Sequence, residues 1–113
     1  MRIKKLNKKC KDLAYQYGIV NPPELIPMKY SRTGKCAILG YYDHSDNTIA
    51  INKYAIEMWS IKSIVDVIKH ELIHAKCYHE FNHGGHGEHF QMLCKMVGLD
   101  KETTRAVKTK VHI

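Results

Sequence analysis

From Ser60 to Phe81 the chain contains neither Gly nor Pro, and Ile61, Ile64, Val65, Ile68, Leu72, Ile73 and Ala75 recur at helical spacing. The pattern predicts one long amphipathic helix, to which the remaining elements must fit their apolar faces. Within it lies His70-Glu71-Leu72-Ile73-His74. Residues four apart share a helix face, so both imidazoles can converge on one metal ion. Glu71 is about 100° further round. It cannot share that face, but it can lean toward an open coordination position where a bound water needs a base. The H-E-x-x-H pattern therefore reads as a zinc site with its general base beside it.

Two histidines are too few for such a site, which usually takes three protein ligands and leaves the fourth position to water. His79, His83, His86 and His89 lie just downstream. His79 is about 140° round the helix from His74 and faces away from the metal. Gly84-Gly85 breaks the helix and lets the chain fold back. Phe90, Leu93, Cys94 and Val97 form the apolar face of a second helix, and its beginning would hold His86. His86 is the first choice for third ligand, His89 the second and His83 the last, because a ligand needs a rigid support.

The remaining segments predict an α+β domain with a small antiparallel three-stranded sheet, packed against an N-terminal helix and the two zinc-site helices. The 113 residues suit a single domain over 1–113. Ile3, Leu6, Cys10, Leu13, Ala14 and Tyr17 place an apolar stripe on the first helix, with lysines opposite and Gly18 as its stop. Asn21-Pro22-Pro23 breaks the chain. A strand ending near Tyr30, a turn at Ser31 to Gly34, a strand from Lys35 to Tyr42 and another from Thr48 to Asn52 follow. Asp43 to Asn47 is a polar hairpin turn in which His44 faces solvent. Lys53 to Met58 is a short helix, Ser60 or Ser63 caps the long one, and Trp59 is a core or interface anchor.

The cysteines Cys10, Cys36, Cys77 and Cys94 are widely spaced with no C-x-x-C, which excludes a zinc ribbon or redox pair and predicts reduced, buried thiols. No apolar run of signal-peptide or membrane-spanning length occurs, so a cytoplasmic protein without membrane contact is expected. Formal charge is +7. It is concentrated at Arg2, Lys4, Lys5, Lys8, Lys9 and Lys11 and again at Lys101, Arg105, Lys108 and Lys110, which favours acidic partners such as nucleic acid. Nothing in the first group could read bases, so contact with DNA would be independent of sequence and sensitive to salt.

His70-Glu71-Leu72-Ile73-His74-Ala75, a short insert, then Gly85-His86-Gly87-Glu88-His89-Phe90 resembles the SprT-like metalloproteases, the family that includes Spartan. Tyr30 to Cys36 is similar to that family's basic first hairpin, and Thr48 to Asn52 to the strand before its metal helix. The resemblance covers roughly residues 10 to 98 and implies a zincin-like fold. It further implies zinc on His70, His74 and His86, and a minimal core that cleaves proteins bound or crosslinked to DNA. The insert before His86 is shorter than in Spartan, which leaves His89 as the alternative. Two rival readings are a regulatory ImmA-like metallopeptidase that cuts a repressor, and a basic nucleic-acid-binding module with a structural zinc. Oxyanion stabilisation could come from Tyr78, His79, His83 or His89.

Overall fold

The long helix forms as the pattern predicts. In the computed structural model, which describes residues 2–28, 40–82 and 87–97, it runs over Ile61–Phe81. Ser60 is its N-cap, with the hydroxyl accepting from Ser63 N–H at 3.2 Å, and Asn82 closes it in the left-handed conformation at φ 52°. In chain order the elements are α1 (Arg2–Gln16), β1 (Glu24–Met28), β2 (Gly40–Asp43), β3 (Thr48–Asn52), α2 (Lys53–Met58), α3 (Ile61–Phe81) and α4 (Glu88–Met96).

Leu6, Cys10, Leu13 and Ala14 of α1 are buried, which is the face the stripe predicts. Gly18 at φ 78° ends the helix with two reaching-back hydrogen bonds, Ile19 N–H to Ala14 O at 2.9 Å and Gly18 N–H to Tyr15 O at 3.0 Å. That left-handed turn favours glycine. At the other end, the Arg2 guanidinium donates to the carbonyls of Glu57 (2.7 Å) and Trp59 (2.6 Å), placing a cation where the α2 macrodipole is negative. Trp59 packs, partly buried, on the core, as an anchor should.

The three expected strands are present, but their pairing corrects the antiparallel expectation. The order is β1-β3-β2, with β2 antiparallel to β3 and β1 parallel to it. The first strand is also earlier than expected, at Glu24–Met28. Short hairpin turns can join only antiparallel strands. The Asp43 to Asn47 turn therefore fixes β2 on one side of β3, and the long stretch between β1 and β3 lets β1 take the other side. Pro27, which has no N–H to give, is tolerated because β1 is an edge strand. The turn at Ser31 to Gly34 and the strand from Lys35 lie outside the described residues except for Gly40–Tyr42.

β3 is buried from Ile49 through Asn52, and Ile49, Ile51, Ile64, Ile68, Leu72, Ile73 and Phe90 meet in one core. Cys10, Cys77 and Cys94 are buried, as expected, and Cys36 lies outside the described residues; burial pushes the Cys10 thiol up to about 12. No helix among the described residues is long and apolar enough to cross a membrane.

β2 comes so close to α3 that Gly40 has no room for a side chain. A Cβ there would lie 3.0 Å from Ala50 O, 3.0 Å from Ile51 Cδ1 and 3.3 Å from Val67 Cγ1. Gly40→Val is expected to lower stability by about 1–3 kcal/mol through overpacking, read as a lower urea midpoint. An unchanged midpoint would mean that β2 slides away from α3 freely.

Candidate metal centre

Burial on α3 is concentrated on the motif. His70 is 1%, Glu71 0% and His74 4% exposed. One helical turn brings the two imidazoles side by side, with ring centroids 4.9 Å apart and planes at 74°. Phe90 of α4 packs against both, 5.0 Å from the His70 ring and 4.6 Å from the His74 ring. Its own side chain is fully buried. The contact explains why α4 docks where it does. Phe90, Leu93 and Cys94 are the buried face of a short helix, and the first of them seats on the imidazoles.

Glu71 projects from the adjoining face into the core. Burial drives its pKa well above the ordinary carboxylate range, and a main-chain hydrogen bond from Tyr42 of β2 acts in the opposite direction. A divalent cation beside the imidazoles would also favour the ionised form. The carboxyl thus lies between the helix and the β2 edge of the sheet.

His86 and His83 lie outside the described residues. His89 is described, and its exposed ring stacks on Phe81 at 4.1 Å and 15°. The consecutive residues His89 and Phe90 thus face different ways, and Phe90 is the one turned to the imidazoles. Among the described residues no group of three or more His, Cys, Asp or Glu is placed to hold a metal ion. His86 immediately precedes Gly87, the N-cap of α4.

Beyond His74 a second cluster lines the end of α3. Tyr78, one turn past His74, stacks on His44 at 4.1 Å and 11°, so the exposed His44 ring covers Tyr78. The Tyr42 hydroxyl is 2.8 Å from Asn47 Oδ1 and 3.0 Å from His79 Nε2. Burial, followed by the nearby Asp43 and Tyr78, pushes the Tyr42 phenol up to about 12. In the turn itself, Asp43 accepts from the Ser45 hydroxyl and N–H, which hold its carboxyl below the usual range. Sequence periodicity sets His79 about 140° round α3 from His74, and its ring meets the Tyr42 hydroxyl. Periodicity did not pair His44 with Tyr78, or link Tyr42 to Glu71. The one available sign was the four-residue step from His74 to Tyr78.

The crystal structure of the metallopeptidase zymogen of Methanocaldococcus jannaschii jannalysin matches this architecture with a TM-score of 0.67. The match spans 91% of this chain and 89% of that one at 17% identity, a likeness of fold. A mixed three-stranded sheet against a helix bearing H-E-x-x-H defines the class as zincin-like α+β. The SprT-like family model matches residues 3–112, and the chain belongs to the SprT-like family. Comparison with curated protein sequences returns no match. Family and fold together support a metallopeptidase.

Proposed function

We propose that the chain is a zinc-dependent endopeptidase of the cytoplasm that hydrolyses proteins bound or crosslinked to DNA, with His70, His74 and His86 holding zinc and Glu71 as general base. The observation that carries this reading is the burial of two imidazoles and a carboxyl within little more than one turn of α3. Such groups are rarely buried together for stability alone. Paired imidazoles on one face are a donor set that suits zinc. The return of the chain to them through Phe90 supports His86, just ahead of α4 in the sequence, as the third ligand.

When bound, zinc supplies a Lewis acid that polarises the peptide carbonyl and acidifies water. Glu71 takes the proton from the attacking water, and its burial helps it hold that proton until the leaving amine collects it. Phe90 keeps solvent from the imidazoles and fixes their orientation. An extended substrate can add to β2, an edge strand among the described residues, through main-chain hydrogen bonds, which read little side-chain identity. Target choice then comes from location, and the +7 charge supports a location on DNA.

The experiment pairs metal analysis with cleavage. His86→Ala is expected to lose zinc, and His89→Ala to keep it, by mass spectrometry of the intact protein. A basic DNA-binding protein is expected to be cleaved with DNA present and spared without it. Cleavage that ignores DNA would leave an endopeptidase but overturn the substrate class, as a repressor-cutting enzyme would behave. Zinc coordinated by four protein ligands in X-ray absorption, with no cleavage, would turn the site into a structural one.

A further inference from the structure

We propose that the outer face of α1 is a docking surface for the phosphate backbone of duplex DNA, separate from the candidate metal site. The inference rests on the proposal that the chain works on DNA-bound proteins, and it assigns the surface that would bring the chain there.

Lys4, Lys5, Lys8, Lys9 and Lys11 are all exposed. At about 100° per residue they fall in one arc roughly opposite the buried stripe of Leu6, Cys10, Leu13 and Ala14. Only Asp12 interrupts the arc with negative charge. Among the described residues the one ion pair is Lys76 with Glu80, at 2.6 Å, so these lysines are not neutralised by acidic side chains. The first turn of α1 carries no acidic residue, which leaves a row of cations at the positive end of the helix macrodipole. That placement works against the helix and has no use in packing. It suits an external anion.

The spacing narrows the anion. Lys4, Lys8 and Lys11 lie on one line spanning about 10 Å at about 1.5 Å per residue. Duplex DNA repeats a strand's phosphate about every 3.4 Å along its axis, so the line matches roughly three phosphates. Tyr15 continues the row, exposed, with a hydroxyl able to donate to another. A single ring is not the succession of aromatic platforms that single strands use. A membrane surface fits less well, because the exposed face of α1 offers no large aliphatic side chain to insert.

α1 packs on β1, α2 and α3, whereas the candidate site residues described above come from α3, α4 and β2. A duplex held by α1 would leave the α4 and β2 side of α3, where the imidazoles lie, for a protein on that duplex.

Fluorescence anisotropy of a mixed-sequence duplex, titrated with salt, tests the surface without reference to cleavage. Lys4→Gln/Lys8→Gln/Lys11→Gln should weaken binding and flatten the log–log salt slope by about 2.7, at about 0.9 per phosphate lost. The Lys→Arg triple should restore it, and zinc content and the thermal midpoint should not fall in either. Lys53→Gln/Lys62→Gln/Lys95→Gln, which removes the same charge from exposed positions outside α1, should keep the slope. The proposal is overturned by a wild-type slope in the first variant, by equal losses in both glutamine variants, or by tighter binding of a single strand than of the duplex. Because only binding is read, an inactive peptidase would not disturb the result, and loss of DNA binding would leave the metal site standing.

Discussion

Glu71→Gln should retain zinc at the wild-type stoichiometry and lose protein cleavage by about 10³-fold or more. The substitution keeps volume and shape, so neither the α3 face nor the Phe90 contact has reason to move. What it removes is the one carboxyl in the buried motif, a group able to take and return a proton. General acid–base steps contribute about 10²–10⁴-fold each, and here one group would serve both the attack and the departure of the amine. Zinc retention separates this outcome from simple loss of the site, which His74→Ala would produce. Stability should hold or rise, since Glu71 is completely buried and its charged form is disfavoured there. Measured against one DNA-bound substrate, undiminished cleavage would remove Glu71 from the chemistry. Lost cleavage with lost zinc would instead make it a structural prop for the imidazoles.

The pairing of the two imidazoles was legible because it depends on local spacing. An unbroken helical pattern fixed α3, the four-residue step paired His70 with His74, and the apolar residues from Phe90 to Cys94 marked α4. Strand direction was not legible in the same way. The first strand was expected to end near Tyr30 and lies earlier, and its parallel pairing with β3 depends on a partner far along the chain. The run Ile49-Ala50-Ile51 was the available sign, because a strand buried without alternation is covered on both faces and belongs in the middle of a sheet. The contacts of Tyr42, His44, Tyr78 and His79 join a hairpin turn to a helix, and no periodicity within either element encodes them. Sequence ranked His86 above His89 on the need for rigid support. His86 lies outside the described residues, and among them the α4 ring that packs on the imidazoles is Phe90, while His89 stacks on Phe81.

Phe90 carries the second large effect, because it belongs to the core and packs on both imidazoles at once. Phe90→Ala is expected to cost about 3–5 kcal/mol, the usual result of emptying a fully buried aromatic site. Domains are stable by only about 5–15 kcal/mol in all, so that variant would stand close to unfolding and its metal affinity would be hard to read. Phe90→Leu is the sharper probe. It keeps an apolar side chain, costs less than about 1.5 kcal/mol, and should lower the melting midpoint by several degrees while the fold persists. It also withdraws the flat ring that spans both imidazoles and ties the start of α4 to them. If preorganisation of the ligands depends on that ring, zinc affinity in competition with a chelator should fall about tenfold or more, beyond the drop in stability. A Leu variant that melts earlier yet binds zinc as tightly as the wild type would make Phe90 a core residue only, and the position of α4 would then say nothing about the third ligand.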